Sequence, residues 1–561
     1  MTRGPGWLLT GSVALLLIGC PAADDDDAAD DDDAADDDDA ADDDDAVDDD
    51  DAVDDDAADL PPVATDDEAA VLYLESAVID PLANDADPEG GPLSLLAVSQ
   101  PAWGRTWRLD DDTVRYESAV GFVGVDEFDY VVGDAGGRAA GGQVRVMVGC
   151  HRGLRWASRG PGGELADGDS HHPALSADGS LLVFASDATT FDPSDTNNAA
   201  DLFATSTHDL APQRVVFAPN GDEPDGPSYS TAVSRSGRYV AFRSPATNLA
   251  AGDTNGQYDV FRLDRDTGVV DLVSWYADGT PATAEARYPS VSDSGHVAFE
   301  SGGSHSPDDP TASPDVYVWH PNSGLQLASA DASGTAGDVT SQSPVLTQDG
   351  GSVVFDSFAS NLVAQDTNGE RDVFVKNLQT GTVERISVAG QGAPEPDGSS
   401  FEPAISADGR FVAFSSEAQN LLAPGPFNSD PFLNEDVFVV DRLSATVELA
   451  SINTLGGWPG GDSYDASVSD DGRFVSFLSN ADNLVVGDSN GAVDVFVWDR
   501  TTGDVARVNA DCAGDAPPST TPSFTMSADG TTFALAVIDP LLPGDDNGEI
   551  DIYVIDNPLL P

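Results

Sequence analysis

An acidic loop motif recurs along this chain and offers the oxygen ligands that a hard cation prefers. Five loops follow the pattern D-x-N-x-x-x-D: Asp195, Asn197 and Asp201; Asp253, Asn255 and Asp259; Asp366, Asn368 and Asp372; Asp488, Asn490 and Asp494; Asp545, Asn547 and Asp551. Two more loops keep only the outer pair, Asp309 with Asp315 and Asp430 with Asp436. Because carboxylate and amide oxygens from one short loop suit Ca²⁺, the motif predicts calcium sites. The alternative is a plain turn, since Asn-Gly is itself a turn former.

No catalytic signature accompanies these loops. None of the seven His residues is followed by Glu, which excludes a His-Glu-x-x-His zinc site. The single Lys, Lys376, precedes Asn377, so the chain has no phosphate-binding P-loop. Adjacent residues of a strand point to opposite faces, so His171 and His172 are interpreted as part of a polar loop and not as a metal pair. Four arginines beside turns are interpreted as solvated: Arg235, Arg238, Arg410 and Arg473.

The acidic loops belong to a unit of about 58 residues that recurs seven times. Each unit begins with a Ser-x-x-Gly turn (Thr-x-x-Gly in one unit), and the turn glycines lie 55 to 63 residues apart: Gly179, Gly237, Gly295, Gly350, Gly409, Gly472 and Gly530. An alternating apolar run such as YVAFRS follows each turn, and a second run such as DVFRL opens with the last Asp of the acidic loop. Such alternation predicts half-buried strands, about four in each unit.

A single small sheet has two open edges and too little core, whereas radial stacking of such sheets buries both faces. Residues 150–561 are therefore predicted to form a β-propeller with seven blades, with six or eight blades as alternatives. Units two to six end in a further strand such as TGVVDLVS, but the seventh stops at DIYVIDNPLLP. A spare copy, RGLRWAS, lies upstream at residues 152–158. We expect this strand to complete the last blade, because an incomplete blade would expose an edge.

The first twenty residues have the features of an export signal. Arg3 precedes an apolar run, Leu8 to Ile18, that is too short to span a bilayer and ends in L-I-G-C at Cys20. This ending resembles the bacterial lipobox. The resemblance implies that residues 1–20 are a lipoprotein signal peptide, that Cys20 carries lipid, and that Pro21 at the next position directs the protein to the outer membrane or cell surface. An ordinary secretory signal with a chance Cys is the alternative.

The charge balance narrows the range of partners. The formal net charge is −76, from 100 acidic and 24 basic residues, and 24 of the Asp residues lie within residues 24–59. A run of like charges without aromatic residues stays extended, so residues 21–60 are predicted to be a disordered Asp-rich tether. The acidity argues against nucleic acid and against binding anionic membrane by charge. Contact with a membrane is expected through the lipid anchor only.

Residues 61–149 have a different pattern, with short alternating runs broken by Gly, Pro and Asn-Asp. This predicts a β-sandwich. The phrases LANDADPEG and GVDEFDYVVGDAGG resemble the bacterial cadherin-like (immunoglobulin-like) repeat. The resemblance implies a spacer or adhesive module. Asn84, Asp85 and Asp87 lie in one loop and are candidate Ca²⁺ ligands, with an Asx turn as the alternative.

The repeat phrase at residues 406–416, SADGRFVAFSS, resembles the TolB-like, WD-repeat-like propellers of exported bacterial proteins. The resemblance covers residues 152–561 and implies a binding scaffold for a protein or a polysaccharide. Two other hypotheses stay open: an extracellular hydrolase or lyase that uses the propeller funnel, and a structural envelope protein without a small ligand. An enzyme is the less favoured reading.

The cysteines allow one disulfide. If Cys20 carries lipid, Cys150 and Cys512 are the two that remain in an oxidising compartment. Both flank the region where the propeller ring is expected to close, and a covalent link over so long a loop would favour the folded ring. We therefore predict a Cys150–Cys512 disulfide.

Overall fold

The computed structural model describes residues 60–560, apart from 73–75, 119–123, 150–152, 161, 277–278, 281, 307–308, 310–312, 391–394, 423–433, 487, 489, 511–517, 519–522 and 543. These residues form 35 strands and one short 3₁₀ turn, Thr189–Phe191. The predicted all-β fold is confirmed. Within the described part of the chain no helix has the length and apolar character needed to cross a membrane. Cys20, Cys150, Cys512 and Asp430 lie outside the described residues.

The first seven strands form a β-sandwich. Their bounds are β1 Asp67–Leu72, β2 Ser76–Ile79, β3 Ser94–Val98, β4 Gly104–Arg108, β5 Val114–Ser118, β6 Gly124–Gly133 and β7 Ala139–Gly149. One sheet has the order β1-β7-β6-β3, with β1 parallel to β7, and the other has the order β2-β5-β4. Buried aromatic and β-branched side chains such as Tyr116, Phe128 and Val144 fill the space between them. The sandwich predicted from the alternating pattern is confirmed.

The remaining strands form seven four-stranded sheets, which we call blades one to seven. The bounds are, for blade one, β9 Ser170–Leu175, β10 Leu181–Ser186, β11 Asp201–Ser206 and β12 Gln213–Arg214; for blade two, β13 Tyr229–Val233, β14 Tyr239–Ser244, β15 Asp259–Asp264 and β16 Val269–Leu272; for blade three, β17 Ala286–Val291, β18 Val297–Ser301, β19 Asp315–His320 and β20 Gly324–Leu327; for blade four, β21 Ser341–Leu346, β22 Ser352–Ser357, β23 Asp372–Asn377 and β24 Val383–Arg385; for blade five, β25 Ser400–Ile405, β26 Phe411–Ser416, β27 Asp436–Asp441 and β28 Thr446–Leu449; for blade six, β29 Ser463–Val468, β30 Phe474–Ser479, β31 Asp494–Asp499 and β32 Val505–Arg507; for blade seven, β33 Ser523–Met526, β34 Thr532–Val537, β35 Asp551–Asp556 and β8 Arg155–Trp156.

The blades are arranged as a ring. The first strand of each blade contacts the first strand of the next, and β33 of blade seven contacts β9 of blade one. The second and third strands are buried on both faces, and their Val and Phe side chains pack between neighbouring blades. This is the β-propeller arrangement, in which each sheet covers the faces of its neighbours.

The last blade takes its outer strand from the beginning of the ring. Strand β8 pairs antiparallel with β35, with Trp156 opposite Tyr553 and Arg155 opposite Val554. The two aromatic rings stack at 5.9 Å between centroids. Residues 153–158, GLRWAS, of the upstream copy therefore provide the fourth strand of blade seven.

The turns between the first two strands require glycine. All seven turn glycines have a left-handed φ between +67° and +78°, which residues with a Cβ adopt only under strain. At Gly472 space is also short, because a Cβ atom would lie 2.3 Å from the Phe411 ring of the preceding blade. The spacing that revealed the repeat thus reflects a backbone requirement and close contact between blades.

Candidate binding site in the central channel

The first strands of the blades enclose a cavity on the axis of the ring, which we call the central channel. It has a volume of about 600 Å³ and is lined by residues of blades one to six. Among the lining residues, six with side chains have a left-handed φ between 50° and 55°: His172, Ser230, Tyr288, Ser343, Glu402 and Asp465. Each lies at an irregularity in the pairing of the first and second strands of its blade.

These six residues occupy the same position in successive blades. The extra residue of a β-bulge turns its side chain out of the regular alternation, and here every bulge lies on the wall of the channel. Left-handed backbone at residues other than glycine is costly and concentrates at functional sites. The sequence reasoning missed this ring. The available signal was a proline inside the first strand of four units, at Pro173, Pro289, Pro344 and Pro403, because proline within a strand marks an edge or a bulge.

The channel wall is acidic at blades five and six. Burial, with Glu402 nearby, raises the pKa of Asp465 to about 6. The Asp465 side chain is exposed to the water inside the cavity. Its pKa is raised because protein surrounds that cavity on most sides. Burial together with Glu402 and Asp462 raises the pKa of Glu435 to about 8. Removal of bulk water and repulsion between like charges both favour the protonated carboxyl.

Three arginines of blades two to four, which are not among the residues that line the cavity, have partners of their own. Arg287 Nη2 lies 2.7 Å from Glu300 Oε1, and Arg371 Nε donates a hydrogen bond to Asp356. The Arg243 guanidinium lies 4.9 Å from the centre of the Tyr258 ring. Burial also raises the pKa of Glu300 and raises that of Asp356 to about 6, so carboxyls of raised pKa occur beside these arginines as well as in blades five and six.

The two histidines lie in strand β9, so their assignment to a polar loop was wrong. The bulge places the His172 ring in the channel, 6.3 Å from the Tyr229 ring centre, while His171 Nε2 lies 3.7 Å from Asp187 Oδ2. Burial, with His171 and Arg243 nearby, lowers the pKa of His172 to about 4. His172 is therefore neutral at pH 7.

The end of the channel formed by the Ser-x-x-Gly turns is closed. Arg235 of blade two reaches across the axis and donates a hydrogen bond to Asp470 of blade six. The Arg235 side chain is 18% exposed, so the expectation that this arginine is solvated was wrong. Around it, second residues of the turns are linked by backbone hydrogen bonds, for example Ala177 N to Arg235 O at 2.8 Å and Gln348 N to Ala407 O at 3.2 Å. The channel is therefore a blind funnel whose mouth faces the acidic loops.

The other three turn arginines lie on the outside and form ion pairs. Arg238 donates from Nε and Nη2 to Asp264 at 3.1 and 2.8 Å. Arg410 and Arg473 make the corresponding contacts with Asp441 and Asp499. Each joins the turn to the end of the third strand of its own blade. These side chains are 36 to 43% exposed. They are therefore partly in contact with solvent, as predicted, but they also form ion pairs that the sequence did not indicate.

The D-x-N-x-x-x-D loops bring their Asp and Asn residues together, as the spacing predicted. In blade two, Asn255 Nδ2 donates to Asp259 Oδ2 at 2.8 Å, and Asn255 Oδ1 accepts from Gln257 N at 2.8 Å. In the other four loops the Asn side-chain oxygen likewise accepts a hydrogen bond from the backbone N–H two residues further along the chain. These residues are Asn197, Asn368, Asn490 and Asn547. The Asn oxygen proposed as a calcium ligand therefore closes an Asx turn in each loop.

A guanidinium lies beside the carboxylates in three of these loops. Arg214, Arg385 and Arg507 occupy the same register on the fourth strand, opposite Phe203, Phe374 and Phe496. Arg214 lies 3.1 Å from Asp201, 3.7 Å from Asp195 and 2.9 Å from Glu223. These three acids bring carboxylate oxygens within 4.8 Å of one another, which is metal-site spacing, but Arg214 supplies the positive charge.

Two other loops use a tyrosine hydroxyl. Tyr317 donates to Asp309 in blade three, and Tyr553 donates to Asp545 in blade seven. Blade two has Leu272 opposite Phe261 at these positions. Burial raises the pKa of Asp253, and burial raises the pKa of Asp259 to about 6. Among the pairs with both carboxylates described, blade two alone has neither the arginine nor the tyrosine, so the calcium prediction is strongest there.

In the sandwich, the three candidate calcium ligands have hydrogen-bond partners. Asp85 Oδ1 accepts from Thr65 N at 2.7 Å and from Tyr130 Oη at 2.9 Å. Asn84 Nδ2 donates to Asp66 O at 3.2 Å, and Asp87 Oδ1 accepts from Glu89 N at 2.8 Å. The contact of Asp87 is that of an Asx turn, and calcium binding at these residues stays a prediction.

Comparison with known proteins agrees with the sandwich assignment. Residues 58–147 match the family model described as a bacterial Ig domain. This part of the chain is similar to a bacterial Ig domain and is called the Ig domain from here on. A search of curated proteins found no match for the chain.

Several solved structures are similar to this chain at low sequence identity and low TM-score. A protein assigned as TolB from Agrobacterium tumefaciens is 18% identical over 50% of this chain and 79% of its own, with a TM-score of 0.31. A prolyl endopeptidase is 14% identical over 70% of this chain and 51% of its own, with a TM-score of 0.40. The GH74 xyloglucanase from Xanthomonas campestris is 9% identical over 68% and 52%, with a TM-score of 0.36. The match thus spans about half of the latter two chains. The description of residues 153–560 as a propeller therefore rests on the strand pairing of this chain itself.

Proposed function

We propose that the chain is a lipid-anchored scaffold of the bacterial cell envelope that binds a protein or polysaccharide partner at the mouth of the central channel. The observation that supports this is the ring of six left-handed side-chain-bearing residues on one cavity wall. Such residues cost roughly 1–3 kcal/mol each. A repeat that served only to pack its blades would have no reason to keep the same costly conformation at the axis of six of them.

The chemistry of the wall indicates what the partner offers. Tyr288 is 56% exposed and Pro289, Pro344 and Pro403 line the cavity beside it, which gives an apolar platform with one hydroxyl. Tyrosine is well suited to such contacts, because its rigid ring loses little entropy on binding. The carboxyls of Glu402 and Asp465 lie on the same wall. A partner with polar or cationic groups next to an apolar surface, such as a peptide loop or a sugar chain, complements this arrangement.

The order of the segments supports a role in presentation. Cys20, which we propose carries lipid, the Asp-rich residues 21–60 and the Ig domain precede the propeller in the chain. An acyl anchor holds a protein on a membrane without spanning it, and a run of like charges stays extended. Under this proposal, residues 21–60 are the tether between the lipid anchor and the folded domains.

The test is a binding screen of the purified full chain against a glycan array and a panel of envelope peptides, with channel variants. Tyr288→Ala and Asp465→Asn should each weaken binding of the identified partner by about tenfold or more, since truncation of a central contact typically costs above 1 kcal/mol. Leu455→Ala is the matched control, because Leu455 is 95% exposed away from the channel wall. Equal affinity in all three variants would place the partner elsewhere.

A second candidate is an extracellular hydrolase or lyase acting in the funnel. It is favoured by the carboxyls Glu402 and Asp465 on one cavity wall, where the raised pKa of Asp465 would suit a general acid. The test is release of new chain ends from any polysaccharide that the full chain binds. Turnover lost in Asp465→Asn but kept in Leu455→Ala would support an enzyme. Binding of a polysaccharide without its cleavage would support the binding scaffold and not the enzyme.

A further inference from the structure

The single lysine of the chain occupies a position where the repeat places other residue types. Lys376 is the fifth residue of β23, the third strand of blade four. At this position the other blades have Thr205 in blade one and otherwise apolar residues: Leu263, Trp319, Val440, Trp498 and Ile555. Lys376 is only 3% exposed. The repeat therefore packs well with apolar side chains at this site, and blade four departs from it with a charge.

The ammonium group of Lys376 is incompletely satisfied. Its Nζ donates one hydrogen bond, to Ala330 O of blade three at 2.7 Å. An ammonium group has three N–H donors, and no carboxylate among the described residues lies within 4.0 Å of this Nζ. Burial of a cation without an ion partner costs several kcal/mol. A chain with 100 acidic residues has nevertheless left this buried cation without one.

The Lys376 side chain lines a cavity between blades three and four. The cavity has a volume of about 440 Å³. Its polar lining includes Gln326, Ser333, Gln379 and Thr380, and its apolar lining includes three leucines: Leu325, Leu327 and Leu378. The cavity is of the size that small ligands occupy, and its hydroxyl and amide groups offer hydrogen bonds next to one positive charge.

One acidic residue, Asp331, also lines this cavity. Its Oδ1 accepts hydrogen bonds from Ser333 N and from Thr335 N, both at 2.8 Å, and from Ser333 Oγ at 2.8 Å. Asp331 therefore holds its own turn together and acts on Lys376 only at longer range. Burial lowers the pKa of Lys376 to about 8, and the Asp331 charge acts in the opposite direction. The lysine is thus predominantly charged at pH 7.

We propose that the cavity between blades three and four is a binding site for a carboxylate group, which forms an ion pair with Lys376. A carboxylate supplies the counter-charge and can accept both remaining N–H donors, while the neighbouring hydroxyls and amides hold the rest of a small molecule. A single negative charge fits better than a phosphate dianion, because Asp331 and the net charge of −76 oppose further negative charge. This site is separate from the central channel, and it carries a different ligand.

The single lysine makes the test direct. Full chain labelled with ¹⁵N-lysine gives one side-chain Nζ signal, which we would follow by NMR at constant ionic strength during titration with acetate. Acetamide, a neutral molecule of similar shape, is the control ligand. The expected result is a saturable shift with acetate and none with acetamide. No saturable shift with any carboxylate, or an equal shift with acetamide, would overturn the proposal and leave Lys376 as a strut between two blades.

Two sources of the carboxylate are distinguished by a second titration. Acetyl-glycyl-glycine with a free carboxylate represents a peptide C-terminus, and the same peptide with a terminal amide is its control. Tighter binding of the free-acid peptide than of acetate would indicate a chain terminus as the ligand. Equal or weaker binding would indicate a free small carboxylate.

Carboxylate binding can also be tested with a variant that lacks the lysine. Lys376→Met should fold, because apolar residues occupy this position in other blades, and ligand-observed saturation transfer should show carboxylate binding weakened by about tenfold or more. Leu263→Met at the same register in blade two is the matched control and should bind like the unmodified chain. Unchanged binding in Lys376→Met would overturn the proposal.

Discussion

Ser158 Oγ donates a hydrogen bond to Asp551 Oδ1 at 2.5 Å, although the two residues are 393 positions apart in the chain. The same hydroxyl accepts from Ile552 N at 2.8 Å. In blade two, Ser274 makes both of these contacts with Asp259 and Val260, which are only 14 to 15 positions away. The upstream strand therefore reproduces in blade seven the contacts that a continuous chain makes in the other blades, and joins the two ends of the ring.

Loss of this junction should weaken the whole propeller. Deletion of residues 150–159 removes β8 and exposes an edge of β35, so we expect a lower melting temperature and a broader transition by calorimetry. The milder Ser158→Ala removes the donor to Asp551 Oδ1, while Asn547 still donates to Oδ2, and should cost about 1–3 kcal/mol. Ser323→Ala, at an exposed turn residue, is the control. A deletion variant that melts like the intact chain would refute closure by this strand.

The ion pair at the closed end of the channel should contribute measurably to stability. Arg235→Ala leaves Asp470 and neighbouring carboxylates without a cation, and a double-mutant cycle with Asp470→Ala should give a coupling free energy of about 1–3 kcal/mol. The Arg442–Glu384 pair is the control, because its carboxylate is 53% exposed and such pairs contribute about 0–1 kcal/mol. Equal coupling energies in the two cycles, from urea denaturation, would contradict the role given to Arg235.

If the acidic loops bind calcium, we expect the binding to require the loop of blade two. Millimolar Ca²⁺ should raise the melting temperature relative to chelator, since a ligand at a hundredfold excess over its Kd stabilises the native state by about 2.7 kcal/mol. Asp253→Asn should abolish this shift. Leu272→Arg should abolish it too, because it places a guanidinium where Arg214 lies in blade one.

The exposed Asp209→Asn is the control for the calcium experiment and should retain the shift. An unchanged melting temperature of the unmodified chain, with no calcium in the desalted protein by elemental analysis, would leave all of these loops as turns. A shift that survives in both blade-two variants would place the ion elsewhere.

The raised pKa of Glu435 makes stability fall as pH rises. Its folded pKa of about 8 exceeds the usual value of about 4.3, so between these values the folded state binds more protons and its stability decreases with pH. Glu435→Gln mimics the protonated form and should increase the free energy of unfolding at about pH 9 by roughly 1–3 kcal/mol after solvent screening, with little change at about pH 5. The control is Glu68→Gln, at an exposed residue. If the free energy of unfolding changes with pH in the same way in both variants, the raised pKa of Glu435 is refuted.

The lipid anchor is tested by its cysteine. Cys20→Ala should move the protein from the membrane fraction to the soluble fraction and abolish incorporation of labelled fatty acid, because the acyl chains supply the membrane affinity. Cys150→Ala is the matched control and should stay in the membrane fraction. Membrane association that survives Cys20→Ala would mean that another segment binds the membrane.

The repeat made the architecture predictable. The turn glycines and the Asp that opens each third strand occur in every unit, so one local rule applied seven times defines the blades. The closing strand was predictable for the same reason, because residues 152–158 match the fourth strand that is absent after residue 556.

The features of the site depend on packing that no single unit contains. Arg235 was expected to be solvated because its turn is polar, but the turns of seven blades converge at the axis and place it against Asp470. The bulge at Glu402 is set where the first strands meet, and only the proline at Pro403 indicates it in the sequence. The loop spacing predicted the carboxylate pairs, yet Arg214 reaches its pair from the fourth strand, at a register that the loop does not encode.

The pairing of β8 with β35 fixes the order in which the propeller can be completed. Ser158 is synthesised 393 residues before Asp551, so at about 5–20 residues per second the strand waits roughly 20–80 s for its partner. Blades one to six can form during this time, but β8 has no sheet to join until the last strand exists. A chain interrupted before residue 551 would therefore keep an unpaired strand and an open ring, and would be distinguishable from finished protein by any protease or chaperone that recognises unpaired edges.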